Sequence, residues 1–163
     1  MKLVYIFSFI SILLESALSI YLKGIYLPLF SVVCLVLIYP FFNNDNKKFL
    51  MYASSFGLFY DIVMTDTLFL NFFVFFLVGI IIIFINEKVT NNFVIVVVMS
   101  AIAIFFYRLI TMIILFLVGY MYFDFNVLFL SIKESLVSNL IYAFVCYLIL
   151  DYISKRFKIN KID

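Results

Sequence analysis

Histidine and tryptophan are absent from the sequence. Without histidine there is no Ser-His or Cys-His nucleophile pair and no histidine-based zinc site. Glycine is scarce, at four residues in 163, and no phosphate-cradling loop can be assembled from them. Tyr60-Asp61 matches one half of the paired-aspartate signature of intramembrane aspartyl proteases, but the other half, Gly-x-Gly-Asp, does not occur. The two cysteines, Cys34 and Cys146, both sit inside apolar runs. They read as small packing residues, not as a disulfide framework or a metal site. Charge is sparse as well: 12% of residues are charged, against about a quarter in soluble domains. These absences leave no catalytic constellation, and neither a cofactor nor a nucleic-acid partner is expected.

What is present is apolar. Hydrophobic residues make up 68% of the chain, with 23 Phe and 12 Tyr, and the mean hydropathy is +1.28. A soluble fold cannot hide that much apolar surface, whereas a bilayer accepts it on the outside of a helical bundle. Each crossing needs about 20 apolar residues, so there is room for about six.

The apolar runs give six helices, at about 3–22, 25–42, 49–64, 68–85, 94–120 and 128–150, followed by a short basic tail at 151–163. The reading is one all-α domain, a six-transmembrane-helix bundle. Its loops are short and polar: Lys23-Gly24, Asn43 to Lys48, Thr65 to Thr67, Asn86 to Asn92, and a turn near Asp124 to Asn126. Six crossings place both termini on one side. That side carries eight of the eleven basic residues, the opposite loops carry only Lys23, and Arg108 and Lys133 fall inside helices. Positive charge stays cytoplasmic, so both termini are expected inside a bacterial cytoplasmic membrane. Lys2, Leu3 to Leu14 and Ala17-Leu18-Ser19 also fit a cleavable leader. Glu15 so near the cut, and the odd helix count left behind, favour an uncleaved first helix.

Ionisable groups at bilayer depth are costly and call for partners. Ser8, Ser11, Glu15 and Ser19 are spaced three, four and four residues apart, which makes one stripe directed into the bundle. Ser54, Gly57 and Asp61 repeat the device on the third helix, where small residues let another helix approach closely. On the fifth helix Ser100, Arg108 and Thr111 share a sector of roughly 80°. On the sixth, Glu134, Ser135, Ser138, Asn139 and Tyr142 lie within about 140° of one another, while Lys133 falls outside that sector and is expected to snorkel to the interface. Glu15 and Arg108 lie near the middle of their helices, so they are expected to pair, directly or through Asp61 or Glu134. The candidate packing or partner-binding residues are Glu15, Ser54, Gly57, Asp61, Arg108, Glu134 and Asn139.

The run Ser55-Phe56-Gly57-Leu58-Phe59-Tyr60-Asp61-Ile62-Val63, a short turn and the apolar Leu68 to Ile85 resemble the rod shape-determining protein MreD family. In that family a Gly-Leu-x-x-Asp segment ends the third helix. Size, helix count and the charged tail fit as well. One departure concerns the glycine that usually leads into the fourth helix; here Leu68, Phe69 and Leu70 occupy that stretch. The resemblance implies a fold similar to the substrate-binding subunits of energy-coupling-factor transporters. It also implies a place in the complex that builds lateral cell wall. The direct partner would be a bitopic MreC-type protein, with indirect links to MreB filaments, a RodA-type glycosyltransferase and a class B penicillin-binding protein.

Two functions follow from different classes. One is a non-catalytic scaffold that packs against a partner's transmembrane helix. The other is the substrate-binding subunit of a vitamin transporter, which needs a sizeable outward pocket. An Ala-x-x-x-Ala pair, usual on the first helix of such subunits, is missing from Glu15-Ser16-Ala17-Leu18-Ser19, and the outer loops are too short for a lid.

Overall fold

A computed structural model describes residues 2–22, 28–43, 45–65, 67–86 and 93–157. All six expected helices are present: α1 (Lys2–Leu22), α2 (Phe30–Ile38), α3 (Asn46–Met64), α4 (Leu70–Asn86), α5 (Phe93–Leu117) and α6 (Phe125–Phe157). No strand occurs among the described residues. Three helices, α1, α5 and α6, are long and apolar enough to cross a bilayer, and the other three are shorter. The protein thus has the build of a helical membrane protein. The expected Lys23-Gly24 turn, most of the loop after Asn86, and the last six residues lie outside the described segments.

The second helix is shorter than its apolar run suggests, and the chain's two prolines are the reason. Pro28 cannot donate to a preceding turn, and α2 begins just after it at Phe30, with Leu29 outside helical geometry. Pro40 has no N–H to donate and its ring clashes with the carbonyl four residues back. The α-helix therefore stops at Ile38, and Tyr39–Phe42 continues as a 3-10 turn, ending in a left-handed Asn43. All nine residues of α2 are buried. It runs through the centre of the molecule and touches α1, α4, α5 and α6. A sequence that is apolar all round suits that position.

The third helix starts a turn earlier than the hydropathy implies, because Asp45 caps it by accepting from the Lys48 backbone N–H at 3.1 Å. The Lys48 ammonium, 2.7 Å from the Asp45 carboxylate, holds that carboxyl below its ordinary range. The sixth helix is longer than expected at both ends. Asp124 caps it through the Asn126 N–H at 2.8 Å, and an exposed Asp151–Lys155 pair at i,i+4 carries it on to Phe157. Its 33 residues span about 50 Å, more than the bilayer with its headgroups. Part of the presumed tail is therefore the projecting end of a helix.

Helices α3 and α4 form the most extensively packed pair. A row of rings, Phe49, Tyr52, Phe56, Phe75 and Tyr107, descends α3 and crosses to α4 and α5. Large side chains such as Ile6, Phe73, Phe84 and Leu148 face outward, as lipid-facing positions require.

Candidate functional site

Beneath this apolar shell lies a polar centre in which two carboxylates each cap a neighbouring helix. The first is Asp61, fully buried near the end of α3. Helix α4 begins beside it with Phe69 in the N-cap position, and phenylalanine has no oxygen to offer the first N–H groups. Asp61 does that work from the adjacent helix. Its Oδ2 accepts from the backbone N–H groups of Asn71 (3.0 Å) and Phe72 (3.3 Å). Its Oδ1 accepts from the Asn71 side-chain amide at 2.8 Å and the Thr65 hydroxyl at 3.1 Å. The negative charge also lies at the positive end of the α4 dipole.

Gly57 stands one turn before Asp61 on the same face. A Cβ there would lie 2.3 Å from the Asn71 carbonyl oxygen and 3.0 Å from the Phe72 Cα. Only glycine allows the start of α4 to come within reach of Asp61. The two residues of the Gly-Leu-x-x-Asp segment thus act on the same two backbone residues.

Phe69 itself adopts φ +69°, in the left-handed region. It falls in the stretch where the MreD family usually carries glycine. A bulky side chain there costs about 1–2 kcal/mol, and the ring is more than half exposed, so its removal forfeits little packing. Phe69→Gly is expected to stabilise the protein by about 1 kcal/mol. Unfolding in mixed micelles would measure it, and a neutral or destabilising result would mean that the turn carries no strain.

The second carboxylate is Glu15, buried at mid-helix on α1. Its Oε2 accepts from the Ser31 backbone N–H (2.8 Å) and the Ser31 hydroxyl (2.7 Å) in the first turn of α2. Its Oε1 accepts from the Tyr60 hydroxyl at 2.6 Å. Leu29, the N-cap of α2, has no capping side chain either, and its N–H donates to Asn139 Oδ1 of α6 at 2.8 Å. The hairpins α1–α2 and α3–α4 therefore repeat one device: a carboxylate on the first helix caps the second. Tyr60 sits one residue before Asp61 and bonds Glu15, joining the two hairpins. Tyr107 of α5 donates to Asn71 Oδ1 at 2.8 Å and adds a third element.

The stripe on α1 is confirmed for Ser8, Ser11 and Glu15, all buried. Ser8 shares a hydrogen bond with Tyr52, and Ser11 shares one of 2.6 Å with Tyr142. Ser19 departs from the expectation: it is exposed, beyond the packed part of α1, and donates to the Ser16 carbonyl. Ser54 is buried and turns its hydroxyl back to the Leu50 carbonyl at 2.9 Å. Asn139 is fully buried, and Lys133 is exposed as a snorkelling residue would be.

The expected Glu15–Arg108 pair is not made. Among the described residues no ion pair involves Arg108, and Glu15 is saturated by Ser31 and Tyr60. Backbone and hydroxyl donors at the start of α2 satisfy the carboxylate, so it does not need the guanidinium. Asp61 does not bridge to Arg108 for the same reason. Glu134 lies within coulombic reach of Arg108 without closing to an ion pair. Arg108 Nε, on α5, is buried without a hydrogen-bond partner among the described residues.

Sequence reasoning missed Ser31, Asn71 and Tyr107. Asn71 is a lone amide in an otherwise apolar helix, and that isolation was the available signal. The assembled centre ties α1 to α2 and α3 to α4, and both carboxylates are buried and accept from donors of their own chain. Compared with family models, curated proteins and solved structures, the chain gives no match.

Proposed function

We propose that the chain is a non-catalytic membrane component of the bacterial cell-elongation complex, an MreD-type protein. It crosses the cytoplasmic membrane six times with both termini inside. It supports lateral peptidoglycan synthesis by binding a bitopic MreC-type partner, and through it MreB filaments, a RodA-type glycosyltransferase and a class B penicillin-binding protein. The observation that carries the reading is the Gly57–Asp61 lock. The residues that carry the family resemblance are the ones that join α3 to α4, and Phe69 takes the left-handed backbone in the stretch where the family places glycine.

Arg108 supports the binding role. Glu15 and Asp61 are satisfied internally, whereas Arg108 makes no ion pair among the described residues and its side chain is only partly covered. A partner's helix would set a carboxylate or a carbonyl against the uncovered part. The vitamin-transporter reading gains less. The larger described cavity is lined mainly by rings and lies beside Lys48, on the side assigned to the cytoplasm, where a substrate-capturing subunit would not open.

The test is co-purification with an MreC-type protein from the same cells, with loss of rod shape on depletion. Arg108→Leu should act in opposite directions on the two steps. Insertion of α5 should improve by about 2.5–3.5 kcal/mol, the cost of an arginine at mid-membrane. Partner recovery should fall about tenfold, the weight of one charge-assisted hydrogen bond. Undiminished recovery would remove Arg108 from the interface. Failure of any bitopic partner to co-purify would overturn the reading.

A further inference from the structure

Helices α1 and α3 are joined by Tyr5 and Ser8 against Tyr52 and by Glu15 with Tyr60, and between them runs a groove of 460 Å³. Its floor is Ser8, Phe42, Tyr52 and Phe56, and its rims include Phe9 and Met51. We infer that this groove holds one acyl chain of an anionic phospholipid, with the headgroup beside Lys47 and Lys48. The inference rests on the membrane reading and is independent of the proposed partner.

Three observations select that occupant. The first is the lining. Helix docking calls for small residues, whereas six of the ten residues lining this groove carry rings and a seventh is Met51. The second is length. The α3 wall runs from Lys48 to Phe59, about 16 Å of helix, close to the half-thickness of a hydrocarbon core of about 30 Å. The groove therefore extends about one leaflet deep from the lysine end. The third is polarity. Most hydroxyls along it are bonded within the chain: Ser8 to the Val4 carbonyl and to Tyr52, and Ser55 to the Met51 carbonyl at 2.8 Å, while the Tyr5 ring packs edge-on against Tyr52. The interior thus asks for an apolar chain, while Lys48 lines the mouth and the exposed Lys47 precedes it in the first turn of α3. Asp45 offsets one of these charges through its exposed pair with Lys48, leaving that turn with one net positive charge. An anionic headgroup complements that charge.

The full-length chain, purified in a mild detergent, is exchanged into micelles holding either phosphatidylglycerol or phosphatidylcholine with the same acyl chains, and bound lipid is counted by native mass spectrometry. The expected result is one phosphatidylglycerol retained per chain, preferred about fivefold over phosphatidylcholine, in line with the pull of one net positive charge on an anionic headgroup. Lys47→Gln with Lys48→Gln should abolish the preference. Ser55→Trp, which plugs the groove from an exposed position, should abolish retention; Met51→Trp, also exposed, makes the same test if Ser55→Trp fails to fold. Equal retention of the two lipids, retention unaffected by the plugging variants, or an empty wild-type protein would each overturn the inference.

Discussion

Replacing Asp61 by alanine is expected to cost about 3–5 kcal/mol of stability, much of what a protein of this size has. Three donors lose their acceptor at once: the Asn71 and Phe72 backbone N–H groups and the Asn71 amide. Each buried donor left without a partner costs about 1–3 kcal/mol. No water replaces the carboxylate at full burial, and Phe69 offers no substitute cap. Thr65 suffers least, because its hydroxyl also reaches the Asp61 and Thr67 carbonyls. Asp61→Asn keeps the shape and one acceptor, so it should cost less than half as much. Reversible unfolding of the purified protein, followed by helicity, would check both variants. A loss below about 1 kcal/mol for the alanine variant would mean that α4 does not depend on this cap.

Gly57→Ala should be nearly as damaging, although it adds only one methyl group. The new Cβ would sit 2.3 Å from a backbone oxygen, so α4 must retreat by about 1 Å to restore ordinary contact. The Asp61 bonds to Asn71 and Phe72, at 3.0 and 3.3 Å, do not survive that displacement. The alanine therefore breaks the cap it never touches, at a cost of about 2–4 kcal/mol. Once the cap is broken, removing Asp61 costs little more. The double variant should fall short of the sum of the single losses by about 1–3 kcal/mol. Additivity would show that glycine and aspartate act separately. Gly79→Ala is the matched control: its Cβ would meet the Leu50 Cδ2 at 3.2 Å, the end of a flexible side chain, and the expected loss is under about 1 kcal/mol.

The period of the polar residues was enough to find the inward faces. Ser8, Ser11 and Glu15 recur at helical spacing on α1, and Gly57 and Asp61 share a face on α3, so their burial was legible. What each face meets was not. The wrong pairing of Glu15 with Arg108 came from matching side-chain charge to side-chain charge. The donors that Glu15 and Asp61 find are largely backbone N–H groups at helix starts, which no residue letter announces. Those starts depend in turn on where helices break. Pro28 and Pro40 were plain in the sequence, but the unbroken apolar run around them masked the shortening of α2. Ser31 could be seen as a capped position only once that break was placed. Phe69 shows the limit from the other side: its backbone strain belongs to the turn geometry, and nothing in the letters Leu-Phe-Leu reveals it.

The proline-bracketed α2 bears on biogenesis. With its 3-10 extension it offers only a 13-residue apolar stretch, too brief for the translocon to release into lipid as an independent span. Its neighbours α5 and α6 are encoded far downstream, and the asparagine that receives the Leu29 N–H is Asn139. The packing of α2 is therefore expected to be completed only after α6 has been synthesised. The buried Leu29 N–H gains its acceptor only when α6 closes around α2, and a truncation before Asn139 is expected to leave that donor unpaired.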